Sequence, residues 1–287
     1  MNMKVISVIG IVTAVALAIV IGLAGSQHGV VIAGLPLFML CGLAAFLVNW
    51  TMFVPAFVYQ TEHYYDLVGS ATYITLSVIV MALAPDPRTL LIGALVLIWA
   101  GRLGPFLFNR IKNAGEDRRF RSIKPNFLQF LMTWTLQGLW VFITYAAGLA
   151  AMTSAEPLSL DIYAAAGLAI WLAGFAIEVI ADRQKSAFRA DPENRNRFIQ
   201  SGLWAWSRHP NYFGEIVLWS GIAVLAFPVL QGWQYATLIS PIFVVVLLTK
   251  ISGVRMLENR ANKQWGNDPD YQAYRDSTSV LVPMPPG

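Results

Sequence analysis

Apolar residues run along the chain in long blocks separated by short polar breaks, rather than alternating at the period of a surface helix or strand. The runs lie near 5–25, 30–58, 67–84, 89–109, 127–152, 160–181, 212–230 and 234–250. Each reaches or approaches the ~20 residues that a helix needs to cross a bilayer. In lipid every backbone amide must be satisfied within its own segment, so runs of this kind predict helices. The breaks carry Gly, Pro and charge: Gly25 to Gly29, Pro85 to Arg88, Glu156-Pro157 and Phe227-Pro228. The pattern predicts an all-α polytopic membrane bundle of about eight transmembrane helices. The second run is longer than a span requires and contains Pro55, which predicts a kink or an early exit there.

Lys and Arg orient the bundle, because they concentrate on the cytoplasmic side. With an inside N-terminus, the outside loops fall near 26–29, 85–88, 153–159 and 228–233, and the C-terminus is inside. Of the 20 Lys and Arg, only Arg88 then lies outside and Arg102 lies within the fourth span. Met1–Gly25 also reads as a signal peptide, with Lys4, an apolar stretch and a small-residue end, but a retained anchor is the preferred reading. The longest polar stretches, 110–126, 182–211 and 251–287, all fall on the cytoplasmic side. One integral membrane domain over 1–287 is expected, with N-terminal helices in 1–58 and a functional core over 89–287.

Composition agrees. The chain of 287 residues is 56% hydrophobic and 13% charged, about half the ~25% charge of a soluble domain. That excludes a soluble enzyme, a disordered scaffold and a disulfide-stapled secreted module. Cys41 is the single cysteine, so an intrachain disulfide is impossible. The formal charge of +4 matters only through where the bases sit, and no nucleic-acid partner is expected.

Five polar groups are not explained by the bilayer. Glu178, Asp182, Lys185 and Arg189 step by four, three and four along the end of the sixth span, which places them on one helical stripe. Ionisable groups at membrane depth are functional candidates by default. The segment Arg208-His209-Pro210-Asn211-Tyr212 leads into the seventh span. Pro210 suits a first helical turn, whose free amides suit an anion. Asn211 and Glu215 are one turn apart, and Gly214 permits a close approach to the backbone. After the last span, Arg255, Glu258, Asn262 and Trp265 form another stripe, for which an amphipathic interfacial helix is the alternative reading. Arg102, Arg110 and Lys112 belong to the fourth span and its loop. The turn holding Glu62, Tyr64, Tyr65 and Asp66 is acidic and aromatic where Lys would be expected. It suits a proton donor or carbonyl clamp, or equally a polar cap on two helices.

Several guanidinium and ammonium groups on one membrane face suit a ligand with two or three phosphates. The chain has no Rossmann fingerprint, P-loop, nucleophile elbow or paired zinc-site histidines, so no metal site is expected and a nucleotide would be held by helix ends.

At these residues the chain resembles the membrane steroid 5α-reductase and sterol reductase superfamily, and within it a bacterial branch. The resemblance runs from about residue 95 to the end. It is carried by Gln184-Lys185-Ser186-Ala187-Phe188-Arg189, by Gly202 to Glu215 with its Arg208-His209-Pro210 core, and by Leu136-Gln137-Gly138. It implies an enzyme that uses NADPH to reduce a carbon–carbon double bond conjugated to a carbonyl in a steroid-like, isoprenoid or other lipid, in the inner membrane with its site facing the cytoplasm. It further implies a cofactor site lined by Asp182, Lys185, Arg189, Arg208, His209, Asn211, Tyr212 and Glu215, approached by Arg110 and Lys112 and closed by Arg255, Glu258 and Trp265. Where the steroid reductases have an adjacent Gln-Glu pair this chain has Gln60-Thr61-Glu62, and where they have a Tyr it has Trp99. Glu62, Tyr65 and Asp66 are therefore the catalytic candidates. Membrane methyltransferases of the isoprenylcysteine and phospholipid type share the Arg-His-Pro segment and use S-adenosylmethionine, which has no phosphates. They are the alternative, and a transporter or lipid-binding protein is a third.

Overall fold

The computed structural model describes residues 2–285. Its helices are α1 (Met3–Gly25), α2 (Leu37–Val58), α3 (Tyr65–Leu83), α4 (Pro87–Ala114), α5 (Phe127–Met152), α6 (Ile162–Ala190), α7 (Pro210–Ala226), α8 (Ile239–Val246), α9 (Val254–Trp265) and α10 (Pro269–Ser277). Among the described residues, eight helical segments are long and apolar enough to cross a membrane, the seventh running Pro210–Val229 and the last Gly232–Trp265. The chain is thus an all-α polytopic bundle. It forms two compact units, Met1–Ala164 with Leu225–Ser240, and Ala165–Val224 with Pro241–Gly287.

In the first unit α5 is buried on nearly every side, as its largely apolar sequence requires. Gly138 brings it against α2: a Cβ there would stand 3.3 Å from the Ala45 carbonyl oxygen. Without a hydrophobic force between helices in lipid, such small-residue contacts and side-chain hydrogen bonds hold a bundle together. Here the bonds are Trp50 Nε1–H to Thr135 Oγ1 at 3.0 Å, Asn49 Nδ2–H to Thr72 Oγ1 at 3.3 Å, and Gln137 Nε2–H to the Tyr65 carbonyl at 2.8 Å.

Two expectations are corrected in this unit. The second apolar run does not begin its helix near residue 30. A two-stranded hairpin, β1 (Val31–Ile32) and β2 (Leu35–Pro36), takes up its start, turning on Ala33 and Gly34 with φ of 50° and 81°. Two consecutive positive φ values suit the twist of a tight hairpin. Helix α2 then passes through Pro55 and ends three residues later, where Tyr59 N–H bonds the Pro55 carbonyl at 2.9 Å. Arg88, expected in a loop, lies in the first turn of α4 and is 1% exposed. Its guanidinium donates to the carbonyls of Leu225 (2.6 Å), Ser159 (2.8 Å) and Leu158 (3.4 Å) and to Asp161 (3.0 Å). Burying the charge is tolerable because each face of the fork is satisfied.

In the second unit glycine sets the spacing of α6 and α7. A Cβ at Gly214 would stand 2.6 Å from both the Gly174 carbonyl oxygen and the Glu178 nitrogen, and one at Gly221 would stand 2.7 Å from the Gly167 oxygen and the Trp171 nitrogen. It is therefore the backbone of α6 that approaches Gly214, and the two helices touch beside the Glu178–Arg189 stripe. After α8 the chain widens into a π turn, Leu247–Ile251, and breaks at Ser252-Gly253 before α9. Such turns commonly mark functional sites, and the extra residue rotates the downstream helix. Gly253 is packed against Tyr212, whose Cε2 would lie 2.9 Å from an added Cβ.

Candidate functional site

Two polar clusters emerge, one in each unit. In the second unit α6 carries the predicted stripe as a gradient: Glu178 and Asp182 are buried, Lys185 is half-buried and Arg189 is exposed. Asn211, in the first turn of α7, donates from Nδ2 to Asp182 Oδ1 at 3.2 Å. Lys185 Nζ stands 4.1 Å from the Trp204 ring centroid, a cation–π contact that draws the ammonium over the 202–205 turn. That turn is tied to α6 by Gln184, whose Oε1 accepts the Leu203 N–H at 2.9 Å. Gly202 has φ +62°, and a Cβ there would collide with the Gln184 amide.

Arg208 and His209 lie just before α7, and α9 turns Glu258 toward both. His209 Nε2 is 2.8 Å from Glu258 Oε1, and Arg208 Nη1 is 2.8 Å from Glu258 Oε2. The second pair is close in distance but outside hydrogen-bond angles, since Nη1 remains without a bonded acceptor among the described residues. Tyr212 stacks on His209 at 5.8 Å with planes 10° apart. Burial pushes the His209 imidazole below its ordinary pKa, with Lys185 and Arg208 acting in the same direction against the Glu258 carboxylate. The ring is then neutral at pH 7, with Nε2–H donating to Glu258 and Nδ1 left as an acceptor.

That acceptor is buried with no hydrogen-bond partner among the described residues, and so is the Arg208 Nε–H donor. Unpartnered buried atoms occur elsewhere among the described residues, at Asn49 Oδ1 and Gln137 Oε1 for instance, but here a donor and an acceptor lie on neighbouring residues, an arrangement that a ligand supplying both would satisfy. A ribose-phosphate does so: its hydroxyl donates to imidazole and its phosphate accepts from guanidinium. Three further predicted residues lie on α7 and α9. Glu215 is half-buried on α7 and Arg255 is exposed on α9. Trp265 donates from Nε1 to the Asn196 carbonyl at 2.6 Å and packs against Phe198, a structural use of its ring.

The first unit holds the acidic turn. Glu62 is 3% exposed, its Oε1 accepts the Asp117 N–H at 2.9 Å, and its Oε2 pairs with Lys124. Tyr65 donates its hydroxyl to the Thr133 carbonyl at 3.0 Å and packs edge-on against Trp134. Asp66 stands 3.9 Å from Arg110, which is itself exposed, as is Lys112. Asp117 is bonded by Arg119. Burial would raise its carboxyl, but the guanidinium outweighs burial and holds it below the ordinary range.

Sequence reasoning missed Lys124 as the Glu62 partner, Trp204 as the Lys185 platform, and Ser207 and Tyr274, which bond Leu281 and Trp204. None carries a spacing signal, because each partner lies far away in sequence.

The family described as a protein of unknown function (DUF1295) matches residues 52–278. The 3-oxo-5-alpha-steroid 4-dehydrogenase 1 of Bos taurus is 34% identical over 70 residues, 24% of this chain and 27% of that protein. The protein of the same name from Rattus norvegicus is 27% identical over 119 residues, 41% of this chain and 40% of its own length. The probable O-methyltransferase ustE of Ustilaginoidea virens is 26% identical over 102 residues, 36% of each chain. The chain thus spans between about a quarter and two fifths of the length of these relatives. No solved structure matches it. The matches bear out the steroid 5α-reductase-like resemblance.

Proposed function

The chain belongs to the DUF1295 family, and from that premise we propose that it is a membrane oxidoreductase that uses NADPH to reduce a conjugated carbon–carbon double bond in a lipid or steroid-like enone. The relatives named as steroid dehydrogenases support the oxidoreductase class. The observation that carries the reading is the half-satisfied Arg208–His209 pair, whose buried Nε–H donor and buried Nδ1 acceptor have no hydrogen-bond partner among the described residues.

Arg208 would bind a phosphate and His209 Nδ1 a ribose hydroxyl, with Tyr212 and Asn211 framing them. Lys185 and Arg189 would take the further phosphate that distinguishes NADPH from NADH, and Asp182 and Glu215 would accept from polar N–H or O–H groups of the same ligand. Arg110 and Lys112 remain proposed phosphate contacts, and Arg255, Glu258 and Trp265 a closing face. Bound NADPH would supply the hydride. The chain itself has to supply a hydrogen-bond donor where negative charge builds on the substrate oxygen, and a proton for the carbon that completes the reduction. Glu62, Tyr65 and Asp66 are the proposed source. Of these Asp66 has the most open carboxyl edge, since Glu62 is tied to Lys124 and Asp117, and the Tyr65 hydroxyl is committed to Thr133. The distribution of Lys and Arg supports a site on the cytoplasmic face of a bacterial inner membrane.

The similarity to an O-methyltransferase favours a second reading, in which S-adenosylmethionine occupies the same second-unit cluster and a methyl group is transferred. The two cofactors separate cleanly. Purified full-length protein in detergent is expected to bind NADPH, seen as a change in nicotinamide fluorescence, and to carry no S-adenosylmethionine detectable by mass. Saturable S-adenosylmethionine binding without NADPH binding would overturn the reductase in favour of the methyltransferase.

A further inference from the structure

Between α6 and α7 the chain has little regular structure beyond two short 3-10 turns, Pro192–Asn194 and Gly202–Ala205. Even so, this segment delivers Arg208 and His209 in a defined arrangement. The end of the chain holds it there. Phe198 sits among Trp265, Tyr271 and Tyr274, with ring centroids 5.9, 5.2 and 5.4 Å away. Tyr274 donates its hydroxyl to the Trp204 carbonyl at 2.7 Å. Beyond α10 the tail runs back beside the segment and bonds it through backbone. Arg208 N–H donates to the Ser279 carbonyl at 2.8 Å, and Met284 N–H donates to the Trp206 carbonyl at 2.9 Å.

Ser207 is the junction. It is 0% exposed. Its hydroxyl donates to the Leu281 carbonyl at 2.8 Å and accepts the His209 N–H at 3.1 Å. A hydroxyl can do both at once, so one atom links the tail to the residue whose buried Nδ1 has no hydrogen-bond partner among the described residues.

We infer that the tail Thr278–Met284 is a strap that, through Ser207, fixes Arg208 and His209 in their ligand-ready arrangement, making Ser207 a positioning residue of the site. The consequence for binding rests on the reading of that site as an NADPH cradle; the strap itself rests on the hydrogen bonds alone. A loop released from its strap samples other conformations, and a ligand then has to order it again, which weakens binding in proportion to the fraction of time the loop is competent.

The test uses the full chain in lipid nanodiscs and two variants, Ser207→Ala and a chain ending at Thr278. Amide hydrogen exchange is followed at residues 206–209, and NADPH affinity by nicotinamide fluorescence, at a temperature well below unfolding. Losing one buried hydroxyl bridge is expected to speed exchange of the His209 amide about tenfold and to weaken NADPH by a similar factor. The shortened chain should exceed Ser207→Ala on both readouts. Unchanged exchange in the shortened chain overturns the strap, whatever the cofactor, because Ser207→Ala by itself removes the acceptor of the His209 amide. Faster exchange with unaltered NADPH affinity overturns the positioning role, because a merely structural tie moves stability and not affinity below the melting range. If the unaltered protein binds no NADPH, the functional reading fails by itself, and the exchange measurement alone decides the strap.

Discussion

Each unit buries a carboxylate against a cation, and the two pairs are finished differently. Around Glu62 the bonding is closed: Lys124 occupies one oxygen, the Asp117 N–H the other, and the group is sealed from solvent. Around Glu258 it is open. The carboxylate is half-buried and holds Arg208 and His209, yet both residues keep buried polar atoms with no partner among the described residues. An unsatisfied buried donor or acceptor costs about 1–3 kcal/mol, which a fold tolerates where a ligand repairs the loss. A closed pair is thus expected to report on stability and an open one on binding.

The sharpest way to break that contrast is Glu62→Ala. It leaves Lys124 with most of its side chain out of water and no counter-charge. Breaking a buried pair typically costs 3–5 kcal/mol, and the partial exposure of Lys124 puts this case near about 3 kcal/mol. Thermal unfolding in detergent should show a large fall in Tm, and Glu62→Leu with Lys124→Met should recover most of it, since replacing both charges removes the uncompensated one. An unshifted Tm would mean that Glu62 is not a structural charge, and would strengthen its candidacy as the proton source.

The matching test in the second unit is Lys185→Ala combined with Arg189→Ala. Hydrogen bonds to charged groups contribute about 1.5–3 kcal/mol, so NADPH affinity should fall at least tenfold while NADH, which lacks the extra phosphate, is little affected. Tm should fall as well, because Lys185 lies one turn from the buried Asp182 on the same stripe, so the dinucleotide comparison and not Tm is the deciding readout. Equal losses for both dinucleotides would remove the stripe from the phosphate that distinguishes them.

A smaller effect is expected from pH. His209 has a folded-state pKa below its ordinary value of 6.5. The unfolded chain therefore binds the proton more readily, and stability is complete above pH 6.5 and declines as pH falls through that value toward the folded-state pKa. His209→Asn should flatten this part of the Tm–pH profile. A wild-type profile with no slope on that side would show that Glu258 compensates the buried ring fully.

The contrast also marks what a sequence can reveal. Apolar runs are read by composition, so the eight spans were legible but not all of their ends: the second helix starts at Leu37 rather than near 30, and the sixth runs on to Ala190 rather than ending near 181. A helical period put Glu178, Asp182, Lys185 and Arg189 on one stripe with the burial gradient that the helix shows. Pro210 marked the start of α7 because its missing N–H is harmless there. Pairings across long loops were not legible. Nothing local ties Lys124 to Glu62 or Leu281 to Ser207, and Arg88 looks like a loop cation until three carbonyls from distant segments surround it. Gly214 was legible as a close approach but not as to its partner, because a glycine announces space and not its occupant. The hairpin at Val31–Pro36 was hidden inside an apolar run, where two-residue strands are too short to show a period.

The smallest predicted effect concerns Arg255. Its spacing of three from Glu258 places it on the face that reaches Arg208 and His209, yet it is exposed. An exposed cation near an anionic ligand contributes through a screened field: roughly 0.2–1 kcal/mol at low ionic strength and progressively less as the Debye length shortens. Arg255→Ala should therefore weaken NADPH no more than about fivefold at low salt, a difference that vanishes at high salt. Arg208→Ala, which removes a buried guanidinium, should keep its deficit at any ionic strength. A salt-resistant loss at Arg255 as large as that of Arg208 would move it from the rim into direct contact with the ligand, and would make α9 a wall of the site rather than a support for Glu258.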